Sequence, residues 1–232
     1  MPGGTLFPDT MKQYDDYTIR EALHNCIAHQ DYTLQQRINF VENPGYLYYS
    51  NAGTFIPGTL ENVLRNEEPQ THFRNECLCR AMVDFNMIDT VSRGIKKMFN
   101  EQWRRHFPMP DYEIDQVKKK VVVRIYGNEI NKRYTDLLKT NDTLSLWDCI
   151  SLDAVQKGRT IHDDIAQDLL KRGLIEGEAP HYNISLSVAK DTHQLPSYTK
   201  TKVLDKERLR QMVLQYLSNA GNEGAKRDSI YE

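Results

Sequence analysis

Three polar side chains of the first predicted helix have the types and the spacing to do chemistry together. Glu21, Asn25 and His29 are four residues apart, so an α-helix places them on one stripe with only modest angular drift. A carboxylate in such a stripe can orient or deprotonate a water molecule, and an amide oxygen suits Mg²⁺, which bridges to phosphates through its waters. If the stripe faces a nucleotide, we expect Glu21 to be the catalytic base and Asn25 to be the magnesium ligand.

The surroundings of this stripe leave two interpretations open. It borders the apolar face formed by Ile19, Ala22 and Cys26, where an unpaired carboxylate or amide would be costly. That cost favours a ligand or internal partners for the three polar groups. The simpler interpretation is a solvated stripe with ordinary helical hydrogen bonds, and spacing alone favours the simpler one.

The elements that would position the stripe are those of an α+β domain over residues 1–127. Apolar residues recur at helical spacing over 14–28, and a hairpin is predicted around Asn43-Pro44-Gly45 because turn residues there separate two β-prone runs. Two further helices are predicted over 75–85 and 92–105. Alternation of Val121, Val123 and Ile125 predicts the last strand of the domain.

The chain changes character after residue 127, where helices dominate. Helices are predicted over 131–139, 145–157 and 160–171, followed by a small hairpin over 174–185. Three helices and a hairpin are the pattern of a winged helix-turn-helix, which we assign to 128–190. A polar linker and the start of a second, incomplete winged-helix module are predicted over 191–232.

A succession of motifs resembles one known family over about residues 14–189. The run 21–32, EALHNCIAHQDY, resembles the E-A-L-x-N-A-x-x-H-R-D-Y motif of the RecG-helicase-related C-terminal domain, a divergent relative of the GHKL ATPases. Ser50-Asn51-Ala52-Gly53, Arg74-Asn75 and Ser92-Arg93-Gly94-Ile95 stand where the family has S-N-P-G, R-N and G-S-G-I. The segments 144–158 and 173–177 resemble the family's winged helix.

The resemblance implies a GHKL-like, Bergerat-type α/β sandwich that binds ATP with Mg²⁺. It implies Glu21 as the catalytic residue, Asn25 as the magnesium ligand through the nucleotide, and the following cofactor-binding residues: Asn25, His29, Asn51, Gly53 and Gly94. Members usually carry an AlbA-like, Schlafen-type domain ahead of these motifs, so the resemblance covers the carboxy-terminal part of such regulators. No G-x-x-x-x-G-K-[ST] phosphate loop occurs, which argues against a helicase motor.

Several positions depart from the family pattern in ways that bear on nucleotide binding. One of the two glycines of G-S-G-I is absent, and Arg93 stands beside Gly94, where it could bind phosphate or block the pocket. Ala52 replaces a proline, and Asn51 replaces the carboxylate that usually receives the adenine amino group. An amide oxygen still accepts that hydrogen bond, more weakly than a carboxylate.

Charge and composition constrain the partners and the location of the protein. The net charge of the 232 residues is −2, and the segment 128–182 has ten acids against seven Lys and Arg. The winged-helix pattern favours DNA, whereas this acidic balance favours a protein partner or a homodimer; both remain open. We expect a cytoplasmic protein without a membrane partner, because the sequence has neither a secretory leader at its start nor a long apolar run.

Three hypotheses follow, in order of preference. The first is a DNA-associated transcriptional regulator whose GHKL-like domain senses a nucleotide or has lost it. The second is a working Mg-ATPase, and the third is a protein-interaction scaffold that kept the fold without the ligand. The spacing Cys77-x-Cys79 lacks the second pair of a zinc site, so no structural metal is expected.

Overall fold

The computed structural model describes residues 12–65, 73–88 and 93–185. The chain forms two compact units, Met1–Ile184 and Ser185–Glu232, and all helices and strands given below belong to the first. The linker and the second winged-helix module predicted over 191–232 lie outside the described residues.

The first unit begins with α1 (Asp16–His29), a short 3₁₀ turn (Tyr32–Leu34) and the strands β1 (Asn39–Glu42) and β2 (Tyr46–Ala52). Three helices and two strands follow in chain order, namely α2 (Leu60–Arg65), α3 (Glu76–Asp84), α4 (Gly94–Arg104), β3 (Asp111–Asp115) and β4 (Lys120–Tyr126). The remainder comprises α5 (Lys132–Thr140), α6 (Leu146–Gln156), α7 (Asp163–Lys171), β5 (Ile175–Glu178) and β6 (His181–Ile184).

A four-stranded antiparallel sheet with the order β1-β2-β4-β3 forms the scaffold of the amino-terminal part. Its register pairs Tyr49 with Val123 and Asn51 with Val121, so these residues share one face. Alternate strand residues point to opposite faces, and Leu47 and Ile125 therefore join the same face. That face packs against α1 and α4 in a core with Ala22, Cys26 and Met98.

Local signals explain why α1 begins where it does. Asp15 accepts a hydrogen bond from the Thr18 amide at 2.8 Å and so caps the helix amino terminus, which satisfies one of the amides that have no partner inside the helix. Ala22 and Cys26 are buried on one side of α1. The polar stripe is therefore rotated away from the core, toward the edge of the helix.

The carboxy-terminal part of the unit has three helices and the two-stranded β5–β6 hairpin. Ser145 and Asp148 form a capping box at the start of α6, which uses side chains to satisfy amides at that end. The α6 helix also contacts α4 and β6. The helices and the hairpin predicted for this part are confirmed as elements, although α7 begins at Asp163 rather than at 160.

The mixed α+β class predicted from the sequence is confirmed, but one strand and one α-helix were not predicted. β3 was missed although Asp111 to Asp115 alternates polar and apolar residues, the period of a strand with one buried face. α2 was also missed, since six residues give too short a helical pattern. No helix among residues 12–65, 73–88 and 93–185 has the length and apolar character needed to cross a bilayer.

Candidate ligand-binding site

A cavity of about 110 Å³ lies beside α1, between the sheet, α4 and the loop after β2. One water molecule needs roughly 10–15 Å³ by the same measure, so this space is much larger than a packing defect. Apolar side chains form most of the walls, among them Ala22, Cys26, Ala28, Phe55, Ile56, Pro57, Val63, Phe73, Cys79, Ile88, Ile95, Val121 and Val123. The polar groups are few and are described below.

Five of the six residues predicted for the site line this one cavity. Glu21, Asn25 and His29 reach it from α1, Asn51 from the end of β2, and Gly94 from the start of α4. All three polar residues of the α1 stripe are half-buried, so the stripe borders a cavity rather than bulk solvent. Sequence spacing alone favoured the solvated interpretation; the resemblance favoured the arrangement found here.

Glu21 is held between Asn25 and the amino terminus of α4. Asn25 Nδ2 donates to Glu21 Oε1 at 3.1 Å, and a Cβ built on Gly94 would lie 1.6 Å from Glu21 Oε1. The carboxylate thus packs against the bare Cα of Gly94, at the positive end of the α4 dipole. A glycine is required here unless Glu21 moves.

His29 is a neutral imidazole at physiological pH. Burial lowers its pKa below the ordinary value, and the positive charge of Arg74 lowers it further. A neutral imidazole has one donor and one acceptor nitrogen, so His29 adds a hydrogen-bonding group to the cavity without adding charge.

Gly53, the sixth predicted residue, shapes the wall rather than lining the cavity. Its φ is +129°, a conformation that glycine adopts far more easily than other residues. A Cβ at this position would lie 3.1 Å from the His29 carbonyl oxygen and 3.2 Å from Arg74 Nε. Gly53 therefore allows the loop after β2 to approach the end of α1.

Arg74 and Asn75 fasten the loop and the end of α1. Arg74 Nη2 donates to the Thr54 carbonyl and hydroxyl oxygens, each at 2.8 Å, and Nη1 lies 3.5 Å from Asp31 Oδ2. Asn75 Nδ2 donates to the carbonyls of Ala28 at 3.0 Å and Gln30 at 2.8 Å. In the sequence, only the resemblance drew attention to the Arg-Asn pair. Its contacts hold the backbone in place around the cavity.

The side chain of Gln30 connects the same regions from the inside. It is fully buried, accepts from the Ala52 amide at 2.8 Å through Oε1, and donates to the Gln36 carbonyl at 2.7 Å through Nε2. Nothing in the sequence distinguishes this glutamine from a surface one, so sequence reasoning did not find it. It holds the end of β2, and with it Asn51, at a fixed position relative to α1.

Three aromatic residues that sequence reasoning missed also line the cavity: Phe55, Phe73 and Tyr112. The ring centroids of Phe55 and Tyr112 are 6.3 Å apart, and Tyr112 also stacks on Phe99 at 6.3 Å. Burial raises the pKa of Tyr112 well above its ordinary value, and the charge of Glu21 adds to the shift. The phenol therefore stays protonated, and Tyr112 escaped notice because β3 itself was not predicted.

Charged side chains are scarce among the described lining residues of the cavity. Glu21 is the one charged residue among the described lining residues, since His29 is neutral. An ionised carboxylate only accepts hydrogen bonds, so Asn25 must turn its NH₂ group, not its oxygen, toward Glu21. Arg93, which could have bound phosphate, is exposed and does not line the cavity.

A buried ion network connects the strand of Tyr112 to the helical part. Lys157 Nζ donates to Asp153 Oδ2 at 2.6 Å, to Asp111 Oδ1 at 2.8 Å and to the Met109 carbonyl at 2.8 Å. Burial opposes ionisation of Asp111, but hydrogen bonds from Arg159 and Lys157 hold its pKa below the usual value. Asp111 immediately precedes Tyr112, so the ion network links the cavity wall to α6 through Lys157.

Within the described residues, no group of three or more His, Cys, Asp or Glu side chains is placed to hold a metal ion. Cys26 is buried in the core, and burial raises the pKa of its thiol to about 12. A thiol with such a pKa stays protonated and unreactive at neutral pH, so Cys26 contributes an apolar wall to the cavity.

No family model and no curated protein matches the sequence. Among solved structures, the crystal structure of the DIP2311 protein from Corynebacterium diphtheriae is similar, with 16% sequence identity and a TM-score of 0.46. The similarity covers 78% of this chain and 43% of that protein, so the chain spans less than half of that protein's length. No activity follows from a likeness of this degree.

Proposed function

We propose that this protein is a ligand-responsive regulator whose cavity binds an adenine-type heterocycle and whose residues 128–185 form a winged-helix module. In this proposal the amino-terminal part is a GHKL-like fold adapted to sensing. The observation that carries the proposal is the convergence of Glu21, Asn25, His29, Asn51 and Gly94, from three separate elements, on one cavity.

The chemistry of the walls supports a flat heterocycle as the ligand. Ligand pockets are mostly apolar, with a few polar groups that fix orientation, and this cavity has apolar walls with the rings of Phe55 and Tyr112. Asn51 Nδ2 donates to the Ala52 carbonyl at 3.2 Å, which leaves the amide oxygen as the acceptor for an exocyclic amine. The neutral His29 offers a further donor or acceptor.

Calorimetry with an adenine series tests this function. Adenine, adenosine, AMP and ATP, the last with and without Mg²⁺, are titrated into the wild-type chain and into Asn51→Ala. At least one ligand should give a saturable heat that weakens about tenfold or more in the variant, since a polar group paired with the ligand is removed. Asn183→Ala, in β6 and away from the cavity, is the control; absence of heat for every ligand contradicts the proposal.

The surface of α7 favours a protein partner over duplex DNA. In winged-helix proteins the equivalent helix enters the major groove, but α7 exposes Asp163, Asp164 and Asp168. Arg172 is engaged with Asp148 through two hydrogen bonds, of 2.7 and 3.0 Å, and with Asp168 at 3.1 Å. Asp163 and Asp164 therefore face solvent, while the charge of Arg172 is paired with Asp148 and Asp168, a balance that is unfavourable to phosphates.

DNA binding is retained as the second candidate because the element order α5-α6-α7-β5-β6 is that of a DNA-reading winged helix. Fluorescence anisotropy with a short DNA duplex, measured as a function of salt concentration, distinguishes a protein partner from DNA. Absence of binding at low salt supports a protein partner, whereas tight binding that weakens steeply with salt supports DNA. The double variant Asp163→Lys with Asp164→Lys provides a positive control, because its α7 surface should attract duplex.

A further inference from the structure

The outer side of β1 is an open edge of the four-stranded sheet. Within the described residues, β1 pairs with β2 on one side and no strand pairs with it on the other. All four of its residues are exposed, including the apolar side chains of Phe40 at 52% and Val41 at 47%. An open edge presents unpaired backbone groups to which a strand of another chain can bind.

The opposite edge of the sheet, β3, is protected by charge. Three of its five residues are acidic, and two of these acids are paired, Glu113 with Arg124 and Asp115 with Lys118. Charged side chains along an edge discourage the addition of another strand. β1 has a single charged residue, Glu42, and neither a proline nor a bulge, so it lacks the protection that β3 has.

The backbone of this edge directs its polar groups outward at every second residue. The Asn43 amide donates to the Tyr46 carbonyl at 2.9 Å, and hydrogen-bonded pairs alternate with non-bonded pairs along an antiparallel ladder. The odd-numbered residues of β1 are therefore the ones bonded to β2. The N–H and C=O groups of the even-numbered residues point away from β2, namely those of Ile38 (just before the strand), Phe40 and Glu42.

A second copy of this edge fits the first when the two strands run antiparallel with Phe40 opposite the partner's Phe40. In this register Ile38 lies opposite the partner's Glu42, so every outward residue meets an outward residue and each such pair can exchange two hydrogen bonds. The Phe40 ring already packs on Tyr49, with centroids 4.9 Å apart. The two exposed Phe40 rings would then cover each other on the same face of the joined sheet.

The neighbouring registers satisfy fewer of these backbone groups. A twofold axis one residue earlier would pair Gln36 with the partner's Glu42, but Gln36 lies outside β1 and its carbonyl already accepts a side-chain hydrogen bond of 2.7 Å. An axis one residue later would pair Ile38 with the partner's Pro44, which has no N–H to donate. The register centred on Phe40 therefore makes the most hydrogen bonds.

The charges at the two ends of the edge also favour an antiparallel second copy. Arg37 lies before β1 and Glu42 ends it, and both side chains are exposed. Antiparallel pairing brings Arg37 of one copy to the end that carries the partner's Glu42. Parallel pairing would instead align like charges, which destabilises a strand pair. The edge is thus complementary in charge to itself.

We propose that two copies of this chain associate through their β1 edges, in an antiparallel register centred on Phe40. Their two four-stranded sheets then form one continuous sheet across a twofold axis. The exposed apolar side chains of β1 are covered, and its outward backbone groups gain partners. This association does not depend on the ligand proposed for the cavity, so either proposal can fail without the other.

Engineered cysteines test the register. The variants are Phe40→Cys and, as the matched control, Val41→Cys, each combined with Cys77→Ser to remove the exposed native thiol. The two copies of residue 40 would have Cα atoms about 5.5 Å apart, within the span of a disulfide. The two copies of residue 41 would be diagonal neighbours about 7–8 Å apart, beyond that span. After mild oxidation, a covalent dimer should form at position 40 about tenfold more than at position 41.

Analytical ultracentrifugation of the full chain over a range of concentrations tests the association itself. We expect a dimer whose dissociation constant rises about tenfold or more in Phe40→Asp, because two carboxylates would then lie opposite each other at the axis. The control Phe85→Asp makes the same change at a phenylalanine that is 78% exposed at the end of α3, and its dissociation constant should equal that of the wild type. Circular dichroism checks that each variant is folded.

Three results would overturn the proposal. The first is a wild-type chain that stays monomeric at every concentration, and the second is a dimer that Phe40→Asp does not weaken. The third is cross-linking at position 41 equal to or greater than that at position 40, since it would exclude the register on which the fit of the two edges depends.

Discussion

Lys157 Nζ of α6 lies 2.8 Å from Asp111 Oδ1 of β3, and both side chains are about 5% exposed. Because Tyr112, the next residue, lines the cavity, this ion pair joins the helical part directly to a wall of the candidate site. The proposed regulatory function requires a connection between the ligand site and the helical part, and the adjacent residues Asp111 and Tyr112 offer one within a single strand.

Replacing Lys157 with Met should destabilise the first unit strongly. The change leaves Asp153 buried without its cation and Asp111 with Arg159 alone, and removal of one partner of a buried ion pair typically costs about 3–5 kcal/mol. Urea unfolding followed by circular dichroism measures the loss. Lys118→Met, which breaks the exposed pair with Asp115, should leave the midpoint almost unchanged; similar midpoints for both variants would count against a structural role of the network.

Asn75→Ala should loosen the end of α1 and the cavity with it. The asparagine donates to two main-chain carbonyls, of Ala28 and Gln30, and leaving buried carbonyls without a donor costs about 1–3 kcal/mol. The difference in the free energy of unfolding between the wild type and Asn75→Ala, from urea unfolding curves, measures this loss of stability. Asn62→Ala removes one exposed hydrogen bond to Pro57 and should have a smaller effect, so an equal loss in both variants contradicts the assigned role.

Gly53→Ala should be more damaging than the same change at Gly173. The φ of +129° and the nearby His29 carbonyl predict a loss of about 1–3 kcal/mol, the usual cost of such a strained conformation. Gly173 also has a positive φ, of +69°, but a Cβ there meets no atom within 4 Å. Thermal unfolding of the two variants ranks them, and a lower melting temperature for the Gly173 variant would contradict the packing described at Gly53.

Stability should fall as the pH falls below the ordinary histidine pKa of 6.5, partly because of His29. Burial lowers the pKa of His29 in the folded state, so the unfolded chain binds more protons, and acid favours unfolding. The contribution is intact above pH 6.5 and is lost as the pH falls toward the lowered pKa, with a slope limited to about 1.4 kcal/mol per pH unit.

The variant His29→Gln should have a flatter pH dependence than the wild type over this range. His106, whose pKa is also lowered by burial, contributes in the same direction and remains in both proteins, so the difference between the two curves isolates His29. Parallel curves would mean that His29 titrates normally in the folded chain.

Sequence patterns predicted most elements because their causes are local. The apolar spacing of α1 and the turn at Asn43-Pro44-Gly45 each depend on residues that are close together in the sequence. Local patterns could not predict the site, because Asn51 and Gly94 line the same cavity as Glu21 only through the register of the sheet and the packing of α4. Only the ordered motifs of a resemblance brought these residues together in advance.

The missing parts of the prediction depend on contacts between distant residues. Gln30 matters because its amide reaches Ala52 and Gln36 at once, and no spacing in the sequence signals this. Tyr112 could have been found, since Asp111 to Asp115 alternates as a strand. The packing of Glu21 against Gly94 could not, because it depends on how α4 lies against α1.

Chemical-shift mapping of an isotope-labelled sample tests the central claim, that this cavity is a ligand site, most directly. On titration with adenosine, the account predicts saturable shifts of the backbone amides of Asn25, His29, Asn51 and Gly94, with those of α7 residues such as Gln167 much less affected. Shifts confined to other surfaces, or an unchanged spectrum at saturating adenosine, would contradict the account.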